Sequence, residues 1–166
     1  DLVTDDEDHA EGRLVRGEIV GCISTEPIAA TGFVADLLGA MKYQCYASPA
    51  FAQKFFPEGL TVSNASSVPA ILFDRRDCLH DKYLKHCFGF AIENYPKHYL
   101  PAPATLLEAI AAGVGYGLAP SMQTTGLIRD GVIVEVPPFA AMQVVLYWHH
   151  WAAEPPVVRE ITGRVL

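Results

Sequence analysis

Short apolar runs alternate with helix-start signals along the whole chain, and that alternation constrains the fold more than any other feature. Glu18 to Ser24 reads as a buried strand, carrying Ile19, Val20, Cys22 and Ile23. Leu37 to Ala47 reads as a second, in which Met41, Tyr43, Cys45 and Ala47 alternate against Lys42, Gln44 and Tyr46. Ala70 to Phe73, His98 to Leu100, Val132 to Val136 and Met142 to Trp151 read as further strands, and Leu2-Val3 as the end of an earlier one. Between them lie helices. The acids Asp5 to Asp8 suit the positive end of a helix over 8–16, closed by Arg13, Arg16 and Gly17. Ser48 caps a helix over 50–56, with Pro49 at its first position and Pro57 and Gly59 beyond it. Cys78 to Phe88 is amphipathic, and Thr105 caps a helix carrying Leu106, Leu107, Ile110 and Ala111. Ser121–Thr125 is a short helix and Val157–Leu166 the last.

Such alternation with short connections predicts α/β structure with mainly parallel sheets. Two features divide it into lobes: the helix start at Ser48-Pro49, and Pro137-Pro138 ahead of the final strand. A chain that leaves one lobe near residue 47 and returns near 140 crosses twice, and a cleft between such lobes suits a small molecule.

Composition narrows the function. Hydrophobic residues make up 51% and charged ones 19%, enough to bury a core. With 12 Lys+Arg against 19 Asp+Glu the formal charge is -7, and an acidic surface repels a phosphate backbone. No apolar run reaches the ~20 residues of a membrane span. The chain starts at Asp1 without a basic, apolar leader and reads as a piece of something longer. Its cysteines, Cys22, Cys45, Cys78 and Cys87, form no CxxC pair. They read as reduced thiols of a cytoplasmic protein, with a disulfide or metal site as the alternative.

Several patterns invite a chemical reading. Gly113-x-Gly115-x-Gly117 suggests nucleotide binding, but the fingerprint needs its glycines between a strand and a following helix, and here the order is reversed. Gly113 reads as a helix C-cap and the other two as places of close backbone approach. Neither G-x-S-x-G nor HExxH is present. His149 and His150 are adjacent on a strand and point to opposite faces, so they do not share a metal. Ser24-Thr25-Glu26-Pro27 ends a buried strand, where ligands of open α/β sheets collect. Its hydroxyls suit a carboxylate and Glu26 a cation; the alternative is an ordinary turn. Asp74-Arg75-Arg76-Asp77 also ends a strand and opens a helix. It offers free N–H groups to an anion, carboxylates to an ammonium or guanidinium, or simply a cap through Asp77. Asp77 and His80, at i and i+3, could form an acid–base pair or a plain surface contact.

Taken in order, these pieces resemble the effector-binding domain of LysR-type transcriptional regulators. Leu14 to Val20 is similar to the family's strand approach, with Val20-Gly21 in place of the commoner Asp-Ala. Ala47-Ser48-Pro49-Ala50-Phe51 resembles its first crossover, and Glu108 to Pro120 its most recognisable stretch. Thr25-Glu26-Pro27, Phe51 to Leu60, Phe73-Asp74-Arg75-x-Asp77-x-Leu79 and Leu146 to Trp151 are similar to the ArgP/LysG-type branch, which responds to lysine and arginine and controls amino-acid export and related genes.

The resemblance implies a two-lobed periplasmic-binding-protein-like (type 2) fold with three-layer αβα lobes and mixed sheets. Lobe I would be 1–47 plus 141–166 and lobe II 48–140. The family's first strand and helix of lobe I, with a hydroxyl-bearing helix start that binds the effector carboxylate, would be missing. So would the N-terminal winged helix-turn-helix domain, through which alone DNA is bound. The resemblance also implies a homodimer or tetramer in the cytoplasm, no membrane and no catalysis; no metal or cofactor is expected. The effector would be a basic amino acid in the inter-lobe cleft. Ser24 and Thr25 would contact its carboxylate or amine, and Glu26, Asp74 and Asp77 would favour its cationic end. Phe73, Arg75, Tyr147 and His149 (or His150) complete the expected contact set. A solute-binding protein of an amino-acid transporter and an enzyme on the same scaffold are the other readings.

Overall fold

The structure, a computed structural model, describes residues 7–166. The strand end at Leu2-Val3 and the acids Asp5 and Asp6 lie outside the described residues. The element order is α1 (Glu7–Val15), β1 (Gly21–Ser24), β2 (Phe33–Ala47), α2 (Pro49–Phe55), α3 (Val62–Ser67), β3 (Ala70–Leu72), α4 (Leu79–Phe88), β4 (Lys97–Tyr99), α5 (Pro103–Ala111), β5 (Tyr116–Pro120), α6 (Ser121–Arg129), β6 (Val134–Glu135), β7 (Ala141–Trp151) and α7 (Pro156–Val165). The chain divides into two compact units, one comprising residues up to Met41 with Val144–Leu166, the other Lys42–Gln143.

In unit one the strand order is β1-β7-β2. β1 runs antiparallel to β7, with Gly21 opposite His150, Cys22 opposite His149 and Ser24 opposite Tyr147. α1 packs on β1 through Leu14, which is buried, and ends at Gly17 with a φ of 72°. α7 buries Val158 and Thr162. The indole Nε1 of Trp148 donates to Thr162 Oγ1 at 3.0 Å, which fixes how the last helix docks.

In unit two the order is β2-β5-β3-β4, with β6 added to β2. Both faces are covered. Cys45, Ala47, Leu72 and Tyr116 pack with Phe51, Phe56, Tyr83 and Leu84 on one side, while Tyr46, Ile71 and Ala119 pack with Leu106, Ile110 and Ile133 on the other. This is why the alternation of β2 dissolves in burial terms: all of 44–47 is buried once helices cover both faces.

Several expectations change. The buried strand over 18–24 shrinks to Gly21–Ser24, and Val20 and Ile23 are exposed. The sheets are not mainly parallel: β3 pairs in parallel with β4 and β5, but β1–β7, β2–β5 and β2–β6 are antiparallel. The parallel pairs are those joined through the β3-α4-β4-α5-β5 stretch, whose helices supply the crossovers that parallel pairing needs. Thr105 is not a cap. Its helix starts at Pro103, whose ring presets the first helical turn, behind Ala102. The sequence reading also omits α3, a helix of six residues held by a capping box in which Thr61 and Asn64 exchange side-chain and backbone bonds. Ser48, by contrast, caps α2 as expected, accepting from Phe51 N–H at 3.3 Å.

Candidate functional site

Unit one gathers a polar cluster at the carboxyl end of β1. The strand register puts Cys22, Ser24, Tyr147 and His149 on one face. Ser24 is 3% exposed; its hydroxyl accepts from Glu26 N–H at 3.1 Å and donates to Glu11 Oε1 at 3.3 Å. The same Glu11 oxygen lies 3.3 Å from His149 Nδ1, and His149 Nε2 is 2.8 Å from the Glu26 carbonyl. His149 is thus buried with both nitrogens occupied. Thr25 is half-buried and bonded, Tyr147 is half-buried, and the Glu26 side chain is exposed.

Glu11 was not among the expected contacts, yet it joins Ser24 to His149. The available signal was helical spacing. Glu11 precedes Leu14 by three residues, so the two share the face of α1 that packs on β1. The serine meets the carboxylate directly, and among the described residues the imidazole is bonded to Glu11 and the Glu26 carbonyl rather than to a hydroxyl.

On the opposite face His150 has its own partners. Nε2 is 2.8 Å from Asp36 Oδ2 and Nδ1 is 2.8 Å from Glu154 Oε1, while the Thr162 hydroxyl donates to that same Glu154 oxygen at 2.5 Å. Adjacent histidines therefore serve opposite faces, as strand geometry requires.

In unit two the turn after β3 is built by its own acids. Asp74 Oδ1 accepts from the N–H groups of Arg76 and Asp77 at 2.7 and 2.9 Å, and Asp74 Oδ2 is 3.8 Å from Arg76 Nη2. Asp77 Oδ1 accepts from Leu79 N–H at 2.9 Å and Oδ2 from Phe73 N–H at 3.2 Å. Phe73 is half-buried. Arg75 forms no ion pair with either acid among the described residues. Its guanidinium lies 4.8 Å from the centre of the Tyr99 ring, at the wall of an open groove of ≈ 630 Å³ shared with Ser66, Tyr95 and Lys97. The structure thus brings Phe73, Asp74 and Asp77 together and sets Arg75 apart.

His80 forms no acid–base pair with Asp77. It is 2% exposed inside the core, where burial pushes its ring down to about 4 and keeps it neutral. Burial also pushes the thiols of Cys45 and Cys87 up, so they behave as small apolar groups. All four cysteines are free. Among the described residues no group of three or more His, Cys, Asp or Glu could hold a metal ion, and no helix is long and apolar enough to cross a membrane.

The two α/β units present a hydroxyl–carboxylate cluster at one strand end and a self-capped acidic turn at another, and comparison with known proteins gives the class. Residues 1–165 match the LysR substrate binding domain, and the chain belongs to that family. It is the effector-binding domain of a LysR-type regulator of the ArgP/LysG branch, with the type 2 periplasmic-binding-protein-like fold, and its relatives are regulators rather than enzymes. Over 165 residues it is 36% identical to the HTH-type transcriptional regulator ArgP of Photobacterium profundum, covering 99% of this chain and 55% of that protein. The ArgP of Proteus mirabilis is 32% identical with the same coverage. The chain therefore spans about half the length of the curated relatives it matches. Among solved structures, ArgP from Mycobacterium tuberculosis superposes with a TM-score of 0.94 at 31% identity, covering 99% of this chain and 56% of that one. LysG from Corynebacterium glutamicum with bound effector Arg shares the fold with a TM-score of 0.86 at 24% identity, covering 99% and 56%.

Proposed function

We propose that the chain senses a basic amino acid, lysine or arginine, and that in the full protein this controls transcription of amino-acid transport or export genes. The observation that carries the reading is the cluster at the end of β1: a buried Ser24 hydroxyl facing the partly exposed Glu11 carboxylate, with the exposed Glu26 beside it. A hydroxyl and two acids suit a zwitterion bearing a second positive charge. Membership of the ArgP/LysG branch, and the arginine held by LysG, support the same chemistry.

In this reading Ser24, Thr25 and Glu26 of unit one contact the effector, with Tyr147 and His149 behind them. Phe73, Asp74, Arg75 and Asp77 of unit two complete the set. Arg75 makes no ion pair among the described residues, so its planar donors are free for the effector carboxylate. We read 1–47 plus 141–166 and 48–140 as the two effector-binding lobes. Switching is a population shift, in which the effector stabilises one arrangement and a homodimer or tetramer passes it to an N-terminal DNA-binding domain in the cytoplasm.

Calorimetry on the full-length regulator with lysine, arginine and a neutral amino acid tests this. The basic pair should bind and the neutral one should not. Asp74→Asn retains an amide oxygen that can still accept from Arg76 and Asp77, so it removes charge while sparing the turn. It should weaken lysine binding by about 1.5–3 kcal/mol. Unchanged affinity would remove Asp74 from the site, and equal binding of the neutral amino acid would refute a basic effector.

A further inference from the structure

The core of unit two contains buried polar atoms without a strong hydrogen-bond partner among the described residues. His80 and Tyr83 project from α4 and Tyr116 from β5, and all three side chains are at most 2% exposed. Nδ1 and Nε2 of His80 and the hydroxyls of Tyr83 and Tyr116 have no hydrogen-bond partner among the described residues. The four atoms belong to one neighbourhood. The His80 ring lies 5.2 Å from that of Tyr116, edge-on, and 6.4 Å from that of Tyr83. The thiols of Cys45 and Cys87 stand beside the Tyr83 hydroxyl and interact with it, but sulfur is a weak donor and acceptor and leaves the hydroxyl open to a stronger partner. Phe56 and Tyr95 complete the surroundings with ring contacts at 5.0 Å to Tyr116 and 5.6 Å to His80.

A dry core would be better filled by phenylalanine at positions 83 and 116 and by an apolar residue at 80, because each buried polar atom without a partner is costly. We infer that this cluster binds internal water at two positions or more, bridging α4 to β5. The number follows from the imidazole. A neutral ring has one donor and one acceptor nitrogen on divergent edges, and one water cannot meet both. A water at each nitrogen has further donors and acceptors left for the two phenols, and a unit of this size ordinarily encloses a few such waters.

A crystal structure of the chain at a resolution that shows ordered solvent, together with Tyr83→Phe and Tyr116→Phe, tests the inference. Density peaks within hydrogen-bonding distance of both His80 nitrogens are expected. Each phenylalanine variant should lose a water contact and lower the thermal unfolding midpoint by about 2–4 °C, as losing one satisfied bond would. Absence of solvent density at both His80 nitrogens overturns the inference whatever the variants do. So do two variants that both unfold at or above the parent's midpoint, since removing an unserved hydroxyl from a dry core relieves a penalty.

Discussion

His150 stands between two carboxylates, 2.8 Å from Asp36 on β2 and 2.8 Å from Glu154 at the entrance to α7. The two contacts differ in burial: the side chain of Glu154 is 7% exposed and that of Asp36 39%. Removing the imidazole leaves the buried Glu154 carboxylate, among the described residues, with the Thr162 hydroxyl alone. His150→Ala should therefore cost about 3 kcal/mol in chemical denaturation. Asp36→Ala should cost no more than about 1 kcal/mol, because water replaces a half-exposed partner. Equal losses would show that the two acids do not differ as their burial implies.

A second expectation concerns acid. Burial holds the folded His80 ring near about 4, below the ordinary 6.5, so the unfolded chain takes up its proton first as pH falls. The stability from keeping this ring neutral is complete above about pH 6.5, declines as pH drops and is fully lost below about 4. The loss amounts to about 3 kcal/mol across that window. Denaturation midpoints measured between pH 7 and pH 4 should follow this slope, and His80→Phe should flatten it. A slope that persists unchanged in the variant would assign it to other groups.

Phe139 is the only residue other than glycine with a positive φ among the described residues, at 61°, and the residue is 59% exposed. An aromatic side chain in the left-handed region is strained, and this one gains little from burial. Phe139→Gly should raise stability by up to about 1 kcal/mol in urea denaturation. A clear loss would show that the ring contributes more than its exposure suggests.

How far the sequence revealed this architecture depends on the range of the interactions involved. Local signals were readable. Ser48-Pro49 opens α2, and Gly113 closes the helix before it with a φ of 73°. Gly115 and Gly117 do mark close approach: an added Cβ would fall 2.5 Å from the Pro69 carbonyl and 2.8 Å from that of Ile71. The short α3 escaped because Asn64, rather than Glu or Gln, closes its capping box. Long-range pairings were opaque. Asp36 meets His150 across 114 positions, and no periodicity in either segment announces a partner so distant. Glu11 lay within a helix whose expected interest was its acidic start, although its bond to Ser24 links the two elements that build the strand-end cluster. The turn at 74–77 was legible as a capping motif, but its acids turn out to hold backbone while Arg75 faces Tyr99.

The indole bond that docks α7 gives the molecule a built-in optical division. Both tryptophans, Trp148 and Trp151, sit in unit one, whereas every tyrosine except Tyr147 sits in unit two. Light absorbed by indole alone reports on the half that holds Ser24 and His149, and phenol emission reports chiefly on the half that holds His80, so the melting of each can be followed in the same cuvette without a label.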